Sequence, residues 1–154
     1  MGDIVKRTTL MVRDAQASAR WYEQVLGMTR AMDTPFTLSG EQLAAGAKGD
    51  RLRLVIMKAA HDEIGMIGLM EWIEPRMDAP AGPPTRIQFG QPVFVVAAKD
   101  CRATVERARA AGSRIHCEPR EWTVKGFGGV EQAMIGASFF DPDGYFFEAN
   151  ERAA

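Results

Sequence analysis

The sequence has few of the residues from which disulfide frameworks and metal sites are usually built. Its 154 residues include only two cysteines and two histidines. Cys101 and Cys117 do not form a Cys-x-x-Cys motif, and two thiols in a cytosolic protein usually stay reduced. His61 lies in a polar segment, and His116 alternates with an apolar residue in a short predicted strand. We therefore expect reduced thiols and histidines that are solvated or hydrogen-bonded.

The sequence also lacks a strong excess of charge and a long apolar run near residue 1. Its formal net charge is −1 and its pI is about 6.1, so no basic surface for nucleic acid is predicted. Residues 1–7 contain no stretch typical of a signal peptide or a membrane span. With 46% hydrophobic and 25% charged residues, the composition is that of a soluble globular protein. A cytoplasmic location is the expectation.

One pattern of strand, polar turn, amphipathic helix and glycine occurs twice along the chain. In the first copy, a strand that includes residues 8–12 leads into a helix at 15–26. In the second copy, a strand that includes residues 93–96 leads into a helix at about 100–111. A module of this size cannot bury the face of its own sheet, so two copies are expected to pack into one domain.

Three further strands are predicted after each helix, which gives the order βαβββ twice and an α+β class. Module one is predicted at about 4–74 and module two at about 89–150. The segment at about 75–88 is predicted to be the linker, since four prolines between residues 75 and 84 disfavour both helix and strand. The layer between sheets and helices is expected to contain Leu10, Val12, Trp21, Val25, Trp72, Phe94, Val96 and Phe147.

Two longer motifs complete the pattern. Val-Arg-Asp at 12–14 precedes Trp-Tyr-Glu-Gln-Val-Leu-Gly-Met at 21–28, and Asp-Pro-Asp-Gly-Tyr-Phe-Phe-Glu occupies 141–148. In this order the chain resembles the vicinal oxygen chelate superfamily, which includes glyoxalase I, the bleomycin resistance proteins and the extradiol dioxygenases. The resemblance covers nearly the whole chain and implies that two modules curl into a half-open barrel or cup. It does not define the reaction, because one fold hosts many functions.

Members of that superfamily hold a metal ion with up to four ligands on the floor of the cup. The resemblance places the four positions at Arg7, Glu71, Val93 and Glu148. Arginine and valine are not metal ligands, and the two remaining carboxylates are fewer than a divalent metal usually requires. No cofactor is therefore expected. The alternative is a divalent metal ion held at an atypical site by Glu71 and Glu148.

Arg7 admits two interpretations. It forms an ion pair with Glu71 and Glu148 that replaces the metal as a structural tie, or it binds a substrate carboxylate or enolate. On the second interpretation Arg7, Glu71 and Glu148 are catalytic residues, and one glutamate is the general base. Both interpretations stay open at this point.

The wall of the cup is predicted from strand alternation. Glu71 shares its side of the fourth strand with two aliphatic residues, whereas Trp72 points beneath the helix. Residues 121–129 are predicted to be a loop, either a lid over the cup or a plain surface loop. The predicted ligand-binding residues are Arg7, Met57, Leu69, Ile73, Trp122, Phe127 and Phe146.

Two functions from different classes are compatible with these observations. The first is a protein of the bleomycin-resistance type that binds a small organic, anionic or aromatic molecule in the cup without the metal. The second is a lyase, isomerase or dioxygenase with an atypical metal site, or with Arg7 and a glutamate as metal-free acid–base groups. A homodimer is expected on the family resemblance, because exposed strand edges gain by being covered.

Overall fold

The computed structural model describes residues 2–126 and 128–153. The chain divides into two compact units, Met1–Gly82 and Pro83–Ala154, which we call module one and module two. The division falls inside the predicted linker at 75–88. Each module consists of one helix and one mixed four-stranded sheet. The predicted α+β class and the βαβββ order of each module are confirmed.

Module one contains one helix packed on a sheet of strand order β1-β4-β3-β2. β1 runs parallel to β4, and the other neighbours are antiparallel. Pro35 is accommodated in β2 because this strand lies at the edge of the sheet. The elements are β1 Arg7–Met11, α1 Ala15–Leu26, β2 Thr29–Thr37, β3 Arg51–Lys58 and β4 Met66–Glu74.

Module two repeats this topology with the strand order β5-β8-β7-β6. β5 is parallel to β8, and β7 is antiparallel to both of its neighbours. The elements are β5 Val93–Ala97, α2 Cys101–Ala110, β6 Ile115–Lys125, β7 Glu131–Phe140 and β8 Phe146–Arg152.

Both helices begin at an aspartate N-cap. The side chain of Asp14 accepts hydrogen bonds from the N–H groups of Gln16 and Ala17, and Asp100 accepts one from Ala103. Each carboxylate thereby satisfies N–H groups that have no partner within the helix. Gly27 ends α1 with a φ of 65°, a left-handed conformation that glycine adopts without strain. Within the described residues, no helix has the length and apolar character needed to cross a membrane.

The helix-facing side of each sheet forms the main core of its module. Of the eight predicted core residues, Leu10, Val12, Trp21, Val25, Trp72 and Phe147 are buried. Phe94 and Val96 are half-buried, and Phe94 stacks on Phe147 with ring centroids 4.9 Å apart. We call the opposite side of each sheet, away from its own helix, the open face.

Trp72 is buried on the open face of module one and not beneath α1, so this part of the core prediction is wrong. It packs with Leu38, Leu52, Leu54 and Met70. The loop at 38–50 contributes to this cluster, and the Trp72 indole N–H donates to Asp50 at 3.4 Å. Because β4 is apolar on both sides, hydrophobic alternation could not decide which side faces the helix.

The segment predicted as a loop at 121–129 is mostly strand. β6 continues to Lys125 and pairs with β7 through Trp122↔Met134 and Lys125↔Glu131. Gly128 and Gly129, with φ of 85° and 76°, lie in the turn that follows. Residues 122–124 have a high propensity for strand and extend the ladder. The prediction of a loop gave weight to the glycines at 126, 128 and 129 and overlooked this propensity. Phe127, a predicted ligand contact, lies outside the described residues.

Candidate ligand site

Glu71 lies on the helix-facing side of module one. Its Oε2 accepts a hydrogen bond of 2.9 Å from the backbone N–H of Ala15, the first residue of α1. Arg7 belongs to the other side of the sheet, because it packs over Gly68. Gly68 lies three residues before Glu71 along β4 and therefore on the opposite side of the strand. The prediction that Arg7 and Glu71 face the same cup is therefore wrong. Glu71 caps the helix instead.

Module two contains the same carboxylate cap. Oε2 of Glu151 accepts a 2.7 Å hydrogen bond from the N–H of Cys101, the first residue of α2. A negative charge at this point also interacts favourably with the positive end of the helix dipole. Gly68-x-x-Glu71 and Glu148-x-x-Glu151 have the same spacing, a signal present in the sequence that the motif comparison missed.

Cys101 itself is fully buried, and its Sγ donates to the carbonyl oxygen of Ala149 at 3.4 Å. Burial raises the pKa of this thiol. Both cysteines are free. Because the thiolate is the reactive form, we expect iodoacetamide at pH 8 to alkylate half-buried Cys117 at least about tenfold faster than Cys101. Peptide mass spectrometry of the native protein measures this ratio, and equal labelling would contradict the placement of Cys101.

The neighbours of Glu71 on the helix-facing side form a charged network that supports the helix. Arg53 lies opposite Glu71 in the β3–β4 ladder and donates from Nε to Asp33 at 2.6 Å. Gln16 of α1 donates to the other oxygen of Asp33 at 2.9 Å. The hydrogen bond from Arg53 holds the pKa of Asp33 below its usual value. This network joins α1 to β2 and β3.

Three predicted wall residues also belong to the helix-facing side. Met57 and Leu69 are fully buried. Met57 pairs with Ile67, which lies on the same side of β4 as Leu69 and Glu71. Ile73 has the same parity along β4. Their predicted position on the side of the sheet away from the helix is wrong, because the two sides of β3 and β4 were exchanged.

Arg7 crosses the open face of module one. Its Nε donates a 3.2 Å hydrogen bond to Oγ1 of Thr9, the next residue on the same side of β1. Thr9 pairs with Gly68 of β4. A Cβ atom at Gly68 would lie 2.7 Å from Oγ1 of Thr9 and 3.3 Å from Cδ of Arg7. The missing side chain at Gly68 therefore leaves room for the arginine.

Strand pairing shows which residue of module one corresponds to Glu148. Glu148 lies opposite Val95, just as Gly68 lies opposite Thr9. The counterpart of Glu148 is therefore Gly68 and not Glu71. The corrected set of four positions, in chain order, is Arg7, Gly68, Val93 and Glu148.

This donor set does not fit a divalent metal ion. Among these four residues only Glu148 carries a metal-ligating side chain. No cluster of three or more potential ligands among histidine, cysteine, aspartate and glutamate occurs in residues 2–126 and 128–153. His61 is exposed, and its Nδ1 accepts hydrogen bonds from the N–H groups of Glu63 and Ile64 within its own loop.

Glu148 is half-buried at the centre of the open face of module two. Along β8 it lies between Phe146 and Asn150 on the same side of the strand, and Ser138 is its partner on β7. Phe146 contacts Phe140 and His116 edge to face, with ring centroids 5.1 and 5.8 Å apart. One end of this face is therefore aromatic, as predicted for Phe146.

Trp122 lies at the other end of the same face. A Cβ atom at Gly136 would be 2.7 Å from Nε1 of Trp122 and 3.1 Å from Oδ1 of Asn150. The indole therefore lies over Gly136 and beside Asn150, with 44% of the residue exposed. Sequence reasoning missed Gly136 and Asn150. The sequence signal for Asn150 was its position two residues after Glu148, which places both on the same side of the strand.

A comparison with protein families gives a match over nearly the whole chain. The family model described as Glyoxalase/Bleomycin resistance protein/Dioxygenase superfamily matches residues 4–149. The chain belongs to this superfamily. The matched range includes residues of both modules.

Several solved structures share the fold. A glyoxalase family protein from Bacillus cereus has a TM-score of 0.79 at 12% identity, with 98% of this chain and 95% of that chain covered. A mutant of glyoxalase I from Zea mays has a TM-score of 0.59 at 16% identity, with 94% of this chain and 45% of that chain covered. A superfamily member from Sphaerobacter thermophilus has a TM-score of 0.56 at 15% identity, with 98% of each chain covered. Likeness at such identities establishes the fold and not the ligand. No curated protein matches the chain.

Of the four metal positions that the family resemblance implies, only one carries a metal-ligating side chain. An arginine, a glycine and a valine accompany the single carboxylate of Glu148. The predicted ion pair between Arg7 and Glu148 joins residues of different modules and stays a prediction. The predicted catalytic roles of these two residues stay predictions as well.

Proposed function

We propose that this superfamily member binds a small organic molecule without the divalent metal of its relatives. The donor set at the four metal positions carries the proposal, because a single carboxylate with arginine, glycine and valine is a poor site for such an ion. The module-two open face around Glu148 supplies the contacts for a ligand.

The residues of that face favour a ligand with an aromatic ring and a hydrogen-bond donor. Trp122, of which 44% is exposed, offers an indole for stacking on one side of Glu148, and Phe146 on the other side is buried. The carboxylate of Glu148 accepts hydrogen bonds, and the amide of Asn150 both donates and accepts them. A few polar groups among aromatic side chains are the usual composition of a small-molecule site.

A metal-free lyase or isomerase is the second candidate. It is favoured by the half-buried carboxylate of Glu148 on the same face as the aromatic residues, a position from which a general base can act. Glu71 has no place in this candidate, since it caps α1.

Binding is tested by titrating a library of small aromatic compounds against the protein with EDTA present. Of the three tryptophans, Trp21 and Trp72 are buried and Trp122 is half-exposed, so a bound ring should change chiefly the fluorescence of Trp122. The amide signals of Phe146 and Glu148 should shift in nuclear magnetic resonance spectra. Trp122→Phe is the matched control for the fluorescence change.

The proposal fails if no compound shifts the signals of the open face, or if binding appears only after a divalent metal is added. Turnover of a bound compound that is lost in Glu148→Gln would favour the second candidate over simple binding.

The predicted homodimer is a separate expectation based on the family. Sedimentation equilibrium at micromolar concentration should give twice the chain mass of 17.0 kDa. A monomer mass at that concentration would contradict it.

A further inference from the structure

The module-one open face holds the guanidinium of Arg7 in a defined position. Thr9 and Gly68 are its neighbours there. The hydrogen bond of 3.2 Å from Nε of Arg7 to Oγ1 of Thr9 fixes one edge of the guanidinium. The absent Cβ of Gly68, which would lie 3.3 Å from Cδ of Arg7, allows the chain of the arginine to cross β4 closely. We call these three residues the guanidinium site.

We propose that the guanidinium site binds an oxyanion of a small organic ligand, a carboxylate or an enolate. This inference rests on the proposed function and specifies the chemistry of the ligand. Arg7 is exposed, and its Nε–H is the group committed to Thr9, so the remaining N–H groups of the fork are directed elsewhere. Two parallel N–H groups match the two oxygens of a carboxylate.

The substitution pattern of the superfamily positions supports this assignment. A divalent ion would stabilise negative oxygen atoms of a ligand, and a guanidinium stabilises the same atoms through charge and hydrogen bonds. Position 7, a metal position by the family resemblance, carries a permanent cation, and position 68 carries no side chain. The two positions are adjacent in space, since Cδ of Arg7 lies over Gly68.

The test uses phenylacetate and phenylacetamide, which have the same ring and differ in charge. Binding is followed by the Nε–H signal of Arg7 and the amide signals of Thr9 and Gly68 in nuclear magnetic resonance spectra. We expect phenylacetate to shift these signals at millimolar concentration and phenylacetamide to leave them unchanged. Arg7→Gln should weaken phenylacetate binding about tenfold, since charge-assisted hydrogen bonds are lost.

Two further variants separate the geometry of the site from its charge. Lys6→Gln removes an equal charge from the neighbouring exposed residue and should change the affinity by less than about twofold, because exposed charges are screened. Thr9→Val keeps the charge of Arg7 but removes its anchor, and should weaken phenylacetate binding about threefold through lost pre-organisation.

The assignment is overturned if both compounds shift the Arg7 signal equally, or if Arg7→Gln and Lys6→Gln have the same effect. In either case, a change in Trp122 fluorescence with neutral aromatic compounds would leave the proposed binding function standing. Failure of every compound to bind at either open face would contradict both.

Discussion

Trp72→Ala is expected to lower the free energy of unfolding of module one by about 3–5 kcal/mol, the usual cost of removing a large buried aromatic side chain. Trp72 is the largest member of the buried cluster on the open face, and its indole N–H donates to Asp50 of the covering loop. Its removal leaves a cavity and detaches the loop at 38–50. Urea denaturation followed by circular dichroism measures the loss.

Trp122→Ala is the matched control for this prediction. Trp122 is 44% exposed, so its replacement should change the stability by less than about 1 kcal/mol. If the two tryptophan variants were equally stable, the placement of Trp72 under the loop at 38–50 would be wrong.

Glu71→Ala is expected to lower the unfolding free energy by about 1–3 kcal/mol, because the buried N–H of Ala15 loses its acceptor. The same substitution at Glu151, the equivalent cap in module two, should have a similar effect on α2. Amide hydrogen exchange at the first turn of each helix should increase in the corresponding variant only.

Glu148→Gln provides the contrast between the two kinds of carboxylate. It should alter ligand binding and change stability by less than about 1 kcal/mol, since Glu148 is only half-buried and glutamine has nearly the same shape. A Glu71→Ala protein as stable as the parent, with altered ligand binding, would return Glu71 to the site and contradict its role as a cap.

The fold could be predicted from the sequence because its signals repeat. The aspartate turns before both helices and Gly27 after α1 define the modules, and α1 has the predicted bounds. Local turn chemistry and helical periodicity are sufficient for these features.

The candidate site was predicted only in part, because the side of the sheet on which a side chain lies depends on tertiary packing. On β8 the side chains of Phe146 and Glu148 share the open face as expected. On β4 both sides are apolar, so the loop at 38–50 and not the pattern determines that Trp72 leaves the helix side. A shift of one residue in such a strand exchanges the two sides, and this exchange misplaced Met57, Leu69 and Glu71.

The comparison of the two modules supplies the correction that a single strand could not. Glu71 and Glu151 cap equivalent helices, and therefore Gly68 and Glu148 are equivalent positions on the open faces. The equal spacing of Gly68 from Glu71 and of Glu148 from Glu151 was the sequence signal for this equivalence, and the strand register agrees with it.

The central claim, that no divalent metal ion is held at the four positions implied by the family resemblance, is tested most directly by equilibrium dialysis against Zn²⁺, Ni²⁺, Mn²⁺ and Fe²⁺ under anaerobic conditions. Metal content is then measured by inductively coupled plasma mass spectrometry for the parent and for Glu148→Gln. We predict well under one ion per chain and no difference between the two proteins, because one carboxylate is too few ligands. One equivalent of metal in the parent that is lost in Glu148→Gln would contradict the claim.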